Sequence, residues 1–187
     1  MTSSQILLVV VGAAIVLAAL GVWLVVRQRR SRALAARFGP EYARTVEQAG
    51  RKSKAEAELA ARAKRVEKLE IRALTTAERD RYAEMWRVAQ ERFVDSPPMA
   101  VAEADHLVTE VMRARGYPMA DFEQQAADIS VDHPHLVTNY RSAHAIAASS
   151  AKDKAGTEEL RQAMVHYRAL FEELLGAAVK EPELVAH

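Results

Sequence analysis

The chain has 187 residues, half of them hydrophobic, no cysteine and a formal net charge of +1. Without cysteine there is no disulfide framework, no thiol nucleophile and no cysteine-held zinc or iron–sulfur centre. The small net charge conceals three unlike segments: residues 1–26 are uncharged, residues 27–72 carry 14 Lys/Arg against 6 Asp/Glu, and residues 73–187 carry 12 against 19.

A short tail, residues 1–5, opens the chain, and Ile6–Val26 is then an unbroken apolar run, ILLVVVGAAIVLAALGVWLVV. As a helix it would extend roughly 31 Å, the thickness of one hydrocarbon core. Trp23 stands near its end, and Arg27, Arg29, Arg30 and Arg32 follow, with Arg37 just beyond. An indole and a basic cluster in that order suit a membrane interface, with residues 27–37 meeting anionic headgroups. A cleaved signal peptide would have its basic residues before a shorter apolar core. The reading is therefore a single transmembrane helix over 6–26. The positive-inside rule directs the N-terminus outward and the rest into the cytoplasm. An extracytoplasmic or secreted chain is the alternative.

Residues 27–74 read as a basic juxtamembrane linker and helical stalk. Phe38-Gly39-Pro40 interrupts the membrane helix, a second helix starts near Glu41, and Gly50 is a weak point. Residues 51–74 are dense in Ala, Glu, Lys and Arg and would reach roughly 36 Å if wholly helical. Glu58 and Arg62, and Lys64 and Glu67, are helix-face neighbours of opposite sign. Leu59, Val66 and Ala73 repeat at seven, with Ala63 and Leu69 between. That thin stripe suits a stalk resting one face on the domain, or a short coiled coil through which the chain would self-associate.

Residues 75–176 read as a compact bundle of four to five helices, followed by a flexible tail, 177–187. Alanine, the best helix former, supplies 36 residues of the chain, against 7 Gly and 6 Pro. The apolar period is helical throughout, so the fold class is all-α. Thr75 and Glu78 have capping-box spacing, and the next helix places Tyr82, Met85, Trp86, Ala89 and Phe93 on one face. Ser96-Pro97 offers an N-cap and a first-turn proline. The helix they open buries Val101, Ala104, Leu107, Val108, Val111 and Met112, runs to Arg115 and stops at Gly116. Arg115 would complement that helix's C-terminus, and Tyr117-Pro118 turns the chain. A short helix is expected from about Met119 to Ile129. Asp132-His133-Pro134 opens another, with Leu136, Val137, Tyr140, Ala143 and Ala147 inward. Residues 149–156 are a polar loop. Thr157 caps the last helix, whose inward stripe is Leu160, Met164, Tyr167, Leu170, Phe171 and Leu174, ending at Gly176.

Neither common phosphate-cradling loop nor a nucleophile elbow is present. The residues richest in chemistry are Asp128, Asp132, His133, Tyr140, Arg141 and His144, with Asp105, His106, Arg115 and Tyr117 from the preceding stretch. His133 and His144 lie roughly 16 Å apart on one helix, too far to share a metal ion. His135 follows His133 at a spacing that faces another way. The plain structural account has Asp132 capping a helix and the histidines bonded to backbone or water. A metal site would need Asp105, His106 or His166 from other helices. A general acid–base role for His133 with Asp128 or Asp132 lacks a paired nucleophile, Ser130 and Ser142 being near only in sequence. No catalytic residue, metal ligand or cofactor is assigned. The basic segment alternates with Glu after residue 55 and is nearly free of aromatics, so nucleic acid is not an expected partner.

Phe38-Gly-Pro-Glu-Tyr-Ala-Arg-Thr-Val46, Phe93-Val-Asp-Ser-Pro97, Ala104-Asp105, Arg115-Gly-Tyr-Pro118 and Ser130-Val-Asp-His-Pro134, with Tyr140, Arg141 and His144, resemble a family of uncharacterised bacterial proteins. Its members are small, often have one N-terminal membrane segment, and are often described simply as secreted. The resemblance covers about residues 38–175 and implies no activity. The expected function is protein–protein contact at the membrane, as a scaffold or adaptor with an unidentified protein partner. The alternative is a ligand- or metal-binding sensor or a hydrolase around Asp132, His133, Arg141 and His144.

Overall fold

A computed structural model describes residues 3–152 and 154–176, with the side chains of 3–11, 13 and 14 outside the description. The described residues are helical or irregular, with no strand among them: α1 Ser3–Phe38, α2 Pro40–Ala49, α3 Lys52–Val66, α4 Thr76–Asp95, α5 Pro97–Ala114, α6 Phe122–Asp132, α7 Val137–Ser150 and α8 Thr157–Gly176. All-α is therefore the observed class. The chain divides into two compact units, residues 1–59 and 60–187, with the boundary inside α3.

In the first unit, α1 runs unbroken through the apolar segment and the arginines, and ends at the expected punctuation. Gly39 has φ 48°, a left-handed value that glycine adopts without a Cβ penalty, and Pro40 occupies the first turn of α2. Gly50 closes α2 at φ 67°, its N–H bonded to the Val46 and Glu47 carbonyls. Phe38, Glu41, Thr45, Ala55 and Leu59 are buried, whereas Ile15–Leu17, Leu20 and Val22–Val26 are 43–67% exposed. Among the residues whose side chains are described, no helix is long and apolar enough to cross a membrane. The expected span, 6–26, lies partly outside them.

The second unit is built around α5, which packs against α4, α7 and α8; α7 lies along α8, and α6 against α7. Val101, Ala104, Leu107, Val108, Val111 and Met112 of α5 are all buried, as their helical spacing requires. Trp86 of α4 stacks on Phe171 of α8 with ring centroids 4.7 Å apart. Thr75 accepts from the Glu78 N–H while the Glu78 carboxylate accepts from the Thr75 N–H, completing the capping box. Arg72 donates two further bonds to Glu78 and, with the Thr75 N–H, pulls its carboxyl down to about 2.

Several boundaries differ from the sequence reading. The stalk helix stops at Val66, eight residues short of Leu74: its last turn tightens through Lys68 N–H to Arg65 O and Leu69 N–H to Val66 O. The irregular stretch that follows binds instead to the α5 exit, where Arg72 N–H donates to Arg115 O at 2.8 Å. The stripe residues Leu59, Ala63 and Val66 are buried within the chain, and Leu69 and Ala73 are half-buried. Met85 is not inward but 41% exposed, because Tyr82, Trp86, Ala89 and Phe93 already fill the inward face. Ser96 precedes Pro97 as expected, yet its hydroxyl makes no cap bond.

The short helix α6 is displaced to Phe122–Asp132 because Asp121 caps it, its carboxylate accepting from the Gln124 N–H. Asp132 is consequently the last residue of α6 rather than the cap of the next helix. His133 ends α6, its N–H bonded to Ile129 O, and α7 begins only at Val137. Helix α7 continues to Ser150, into the expected loop. Thr157 is the first residue of α8, and the entry is closed by Glu159, which accepts from the Gly156 N–H. The expected tail, 177–187, lies outside the described residues.

Candidate functional site

The ten residues singled out by chemistry fall into several separately bonded groups. The largest joins α5, α6, α7 and α8. Asp105 accepts the Tyr167 hydroxyl at 2.6 Å and faces His144 Nδ1 at 3.3 Å. The His144 ring lies flat on Phe122, centroids 3.7 Å apart, and Tyr140 packs against both Phe122 and Tyr167. The Tyr140 hydroxyl donates to Gln125 at 3.2 Å. Burial works to raise the Asp105 pKa, but the bonds from His144 and Tyr167 outweigh it and hold the carboxyl below its ordinary value. Burial first, and the Asp105 charge second, push the Tyr167 hydroxyl up, so that it stays a donor. The group is an Asp–His pair whose third member is a neutral phenol. It clamps four helices together and contains no activated nucleophile.

Around the α6 terminus each side chain turns to a different partner. Asp128 is fully buried; its Oδ1 accepts from Arg65 at 2.5 and 3.0 Å and from Gln124 at 2.9 Å, while Oδ2 has no hydrogen-bond partner. Asp132 accepts the Tyr117 hydroxyl at 3.2 Å. His133, 6% exposed, faces Glu173 at 3.2 Å. Desolvation is the largest influence on its imidazole and pushes the pKa down, against the pull of Glu173 and with the help of Arg115. Arg141 pairs with Glu123, and His106 lies on the surface 3.6 Å from Glu110. Among the described residues, no three His, Asp or Glu are placed to hold one metal ion.

Arg115 does complement a helix C-terminus, but α8's rather than its own. Its guanidinium donates to Leu174 O at 3.2 Å and to Arg72 O at 3.3 Å. Gly116 then passes so close to residue 70 that only glycine fits: its φ is +97°, and a Cβ would lie 2.5 Å from Glu70 O. The Arg115-Gly-Tyr-Pro118 motif is thus a structural knot tying residues 70–72, the α5 exit and the end of α8.

Two surface features escaped the sequence reading. Between α4 and α5 lies a groove of about 350 Å³ floored by Met85, Val88, Ala89 and Leu107 and rimmed by Glu84, Arg92, Glu103 and His106. An Arg92–Glu103 ion pair links the two helices at its edge, and Arg87 holds Glu84 and Glu91 beside it. In the first unit a second groove of about 340 Å³ is lined by Leu24, Arg27, Gln28, Ser31, Lys52 and Glu56. Of the expected interface residues, Trp23 carries the Arg27 guanidinium 5.2 Å above its ring, and Arg29, Arg30 and Arg32 are exposed. The signal for the α4–α5 groove was Val88, an apolar side chain outside the stripe assigned to the inward face. Nothing in sequence spacing links Arg65 to Asp128, 63 residues away.

A scan against models of protein families, a search of curated proteins and a search of solved structures each find no match.

Proposed function

We propose that the chain is a single-pass membrane protein whose helical bundle is an interaction module, holding a protein partner at the cytoplasmic face. The observation that carries the interaction is the α4–α5 groove. Its floor is apolar, Met85 and Val88 on it are about 40% exposed, and its rim has charges of both signs. Two adjacent helices separated by such a furrow suit the apolar ridge of a partner's amphipathic helix, with rim ion pairs fixing its direction. The anchor is supported by the uncharged run 6–26, by the exposed apolar side chains from Ile15 to Val26 and by the arginines that follow. The resemblance noted in the sequence fits a membrane-attached chain of this size. A sensor or hydrolase around Asp132, His133, Arg141 and His144 finds less support, since those four side chains have four different partners.

Site-specific photo-crosslinking in living cells tests the interaction. A photoreactive side chain at Met85 should give a discrete adduct that Val88→Glu removes, while the same group at exposed Thr138 gives none. Identical bands from both positions, or none from Met85, would refute the groove. Alkaline carbonate should leave the chain in the membrane pellet, and a phosphatase fused after His187 should be inactive outside the cell; the opposite results would refute anchor and orientation respectively.

A further inference from the structure

We propose that the groove between α1 and α3 seats the phosphate of one anionic phospholipid, a place for a single lipid rather than a diffuse attraction to the leaflet. The inference rests on the membrane reading above and adds to it a ligand, a stoichiometry and a residue distant in sequence. Arg27, Gln28 and Ser31 come from successive turns of α1. Lys52 and Glu56 come from α3, returned to α1 by the left-handed glycines 39 and 50 on either side of α2.

The groove has the charge a phosphodiester needs. Glu56 is already engaged: the Tyr42 hydroxyl donates to it at 2.8 Å and Lys52 Nζ lies 3.8 Å away. Burial opposes its ionisation, but the bonds from Ser31 and Tyr42 and the charges of Lys52 and Arg27 prevail, so its carboxyl stays below its ordinary value. Two cations and one anion therefore leave one positive charge, matching the single negative charge of a phospholipid phosphodiester. Ser31 is nine-tenths buried, its Oγ 3.4 Å from the Tyr42 hydroxyl, so this wall is held in place from behind. Lys52 is 62% exposed and free to swing onto a ligand.

Position selects a lipid over a soluble phosphate. Leu24 closes the end of the groove that faces the apolar run, and Ser31 stands seven residues beyond it, roughly 10 Å along the helix axis. Val26 ends the run, so the groove straddles the edge of the hydrocarbon, where the headgroup layer is roughly 5–7 Å deep. A diacyl phosphodiester lipid such as phosphatidylglycerol would lay its chains along exposed Val22–Val26 and its phosphate between Arg27 and Lys52. Free phosphate would gain nothing from that apolar continuation.

Native mass spectrometry of the full chain in micelles doped with phosphatidylglycerol or phosphatidylcholine tests the site. Wild type should retain one phosphatidylglycerol in preference to phosphatidylcholine. Lys52→Glu should weaken that retention roughly tenfold, as expected for reversing one near-surface cation. Arg51→Glu, exposed and outside the groove, makes the same charge change and should leave retention within about twofold of wild type. Circular dichroism should show both variants equally helical. Equal losses in the two variants, equal retention of the two lipids, or displacement of the lipid by millimolar glycerol phosphate would each overturn the proposal. If wild type stays in the carbonate pellet while the variants behave alike, the lipid site alone fails; if carbonate releases wild type, the membrane reading fails with it.

Discussion

Replacing Gly116 with alanine would put a methyl group 2.5 Å from the backbone carbonyl oxygen of Glu70, at a φ of +97° that side chains other than glycine's rarely adopt. The left-handed conformation alone costs about 1–2 kcal/mol for a residue with a Cβ. The contact adds an overpacking cost of about 1–3 kcal/mol, because what must move is backbone rather than the end of a side chain. Residue 70 has little room to yield, since two residues on Arg72 N–H is held by Arg115 O and the Arg115 guanidinium donates back to Arg72 O. The expected total is about 3 kcal/mol, equivalent to a fall in midpoint of about 12 °C for a domain of this size. Gly50→Ala is the internal control: it too has positive φ, at +67°, but nothing lies within 4 Å of its new Cβ. It should cost about 1 kcal/mol. Urea unfolding in a Trp23→Phe background, where Trp86 against Phe171 reports on the second unit, measures Gly116→Ala, and loss of helical circular dichroism measures Gly50→Ala in the first. If Gly116→Ala costs no more than Gly50→Ala, the close approach to Glu70 does not constrain the knot.

Two further outcomes follow from the buried charges. His133 has a folded pKa below its ordinary 6.5, so as pH falls the unfolded chain takes up the proton first. Its contribution to stability is complete above about pH 6.5 and is lost from there down through the folded value. The urea midpoint should drop between pH 7.5 and 5, and His133→Gln should flatten that drop; an unchanged slope would remove His133 as its source. Arg65→Ala strands the Asp128 carboxylate, whose Oδ2 is already without a partner, and should destabilise by about 2 kcal/mol, less than for a wholly buried pair because Arg65 is 40% exposed. Adding Asp128→Leu should restore part of that loss in a double-mutant cycle, and strict additivity would show that the two do not interact.

Much of the fold was legible in local pattern. The α5 and α8 core faces follow from 3.6-residue spacing, and the Thr75–Glu78 box and the Phe38-Gly39-Pro40 break work through contacts within four residues. Misreadings arose where a distant contact outbid a local preference. Helix α3 ends at Val66 without a glycine or proline, and the chain beyond it is held at Arg72, which bonds to the α5 exit. Asp132 resembled an N-cap, but Asp121 starts α6 later and carries the helix through it. The grouping of the candidate residues has no signal in the sequence. Asp105 finds Tyr167 62 residues on, His133 finds Glu173 40 residues on, and Asp128 finds Arg65 63 residues back. None of these pairs has a helical or strand period to betray it.

By itself the sequence determined the inward faces of α5 and α8 and the helix ends set by local punctuation, since apolar period, capping and the φ freedom of glycine act within a few residues. It also set the division into an uncharged run, a basic segment and an acidic bundle, because charge needs only to be counted. Tertiary structure alone decided which charges meet: that Arg115 serves α8, that Lys52 returns to Arg27, and that Met85 and Val88 line a groove. Those pairings depend on how helices cross and how loops reverse, and the packing of side chains many residues apart selects them.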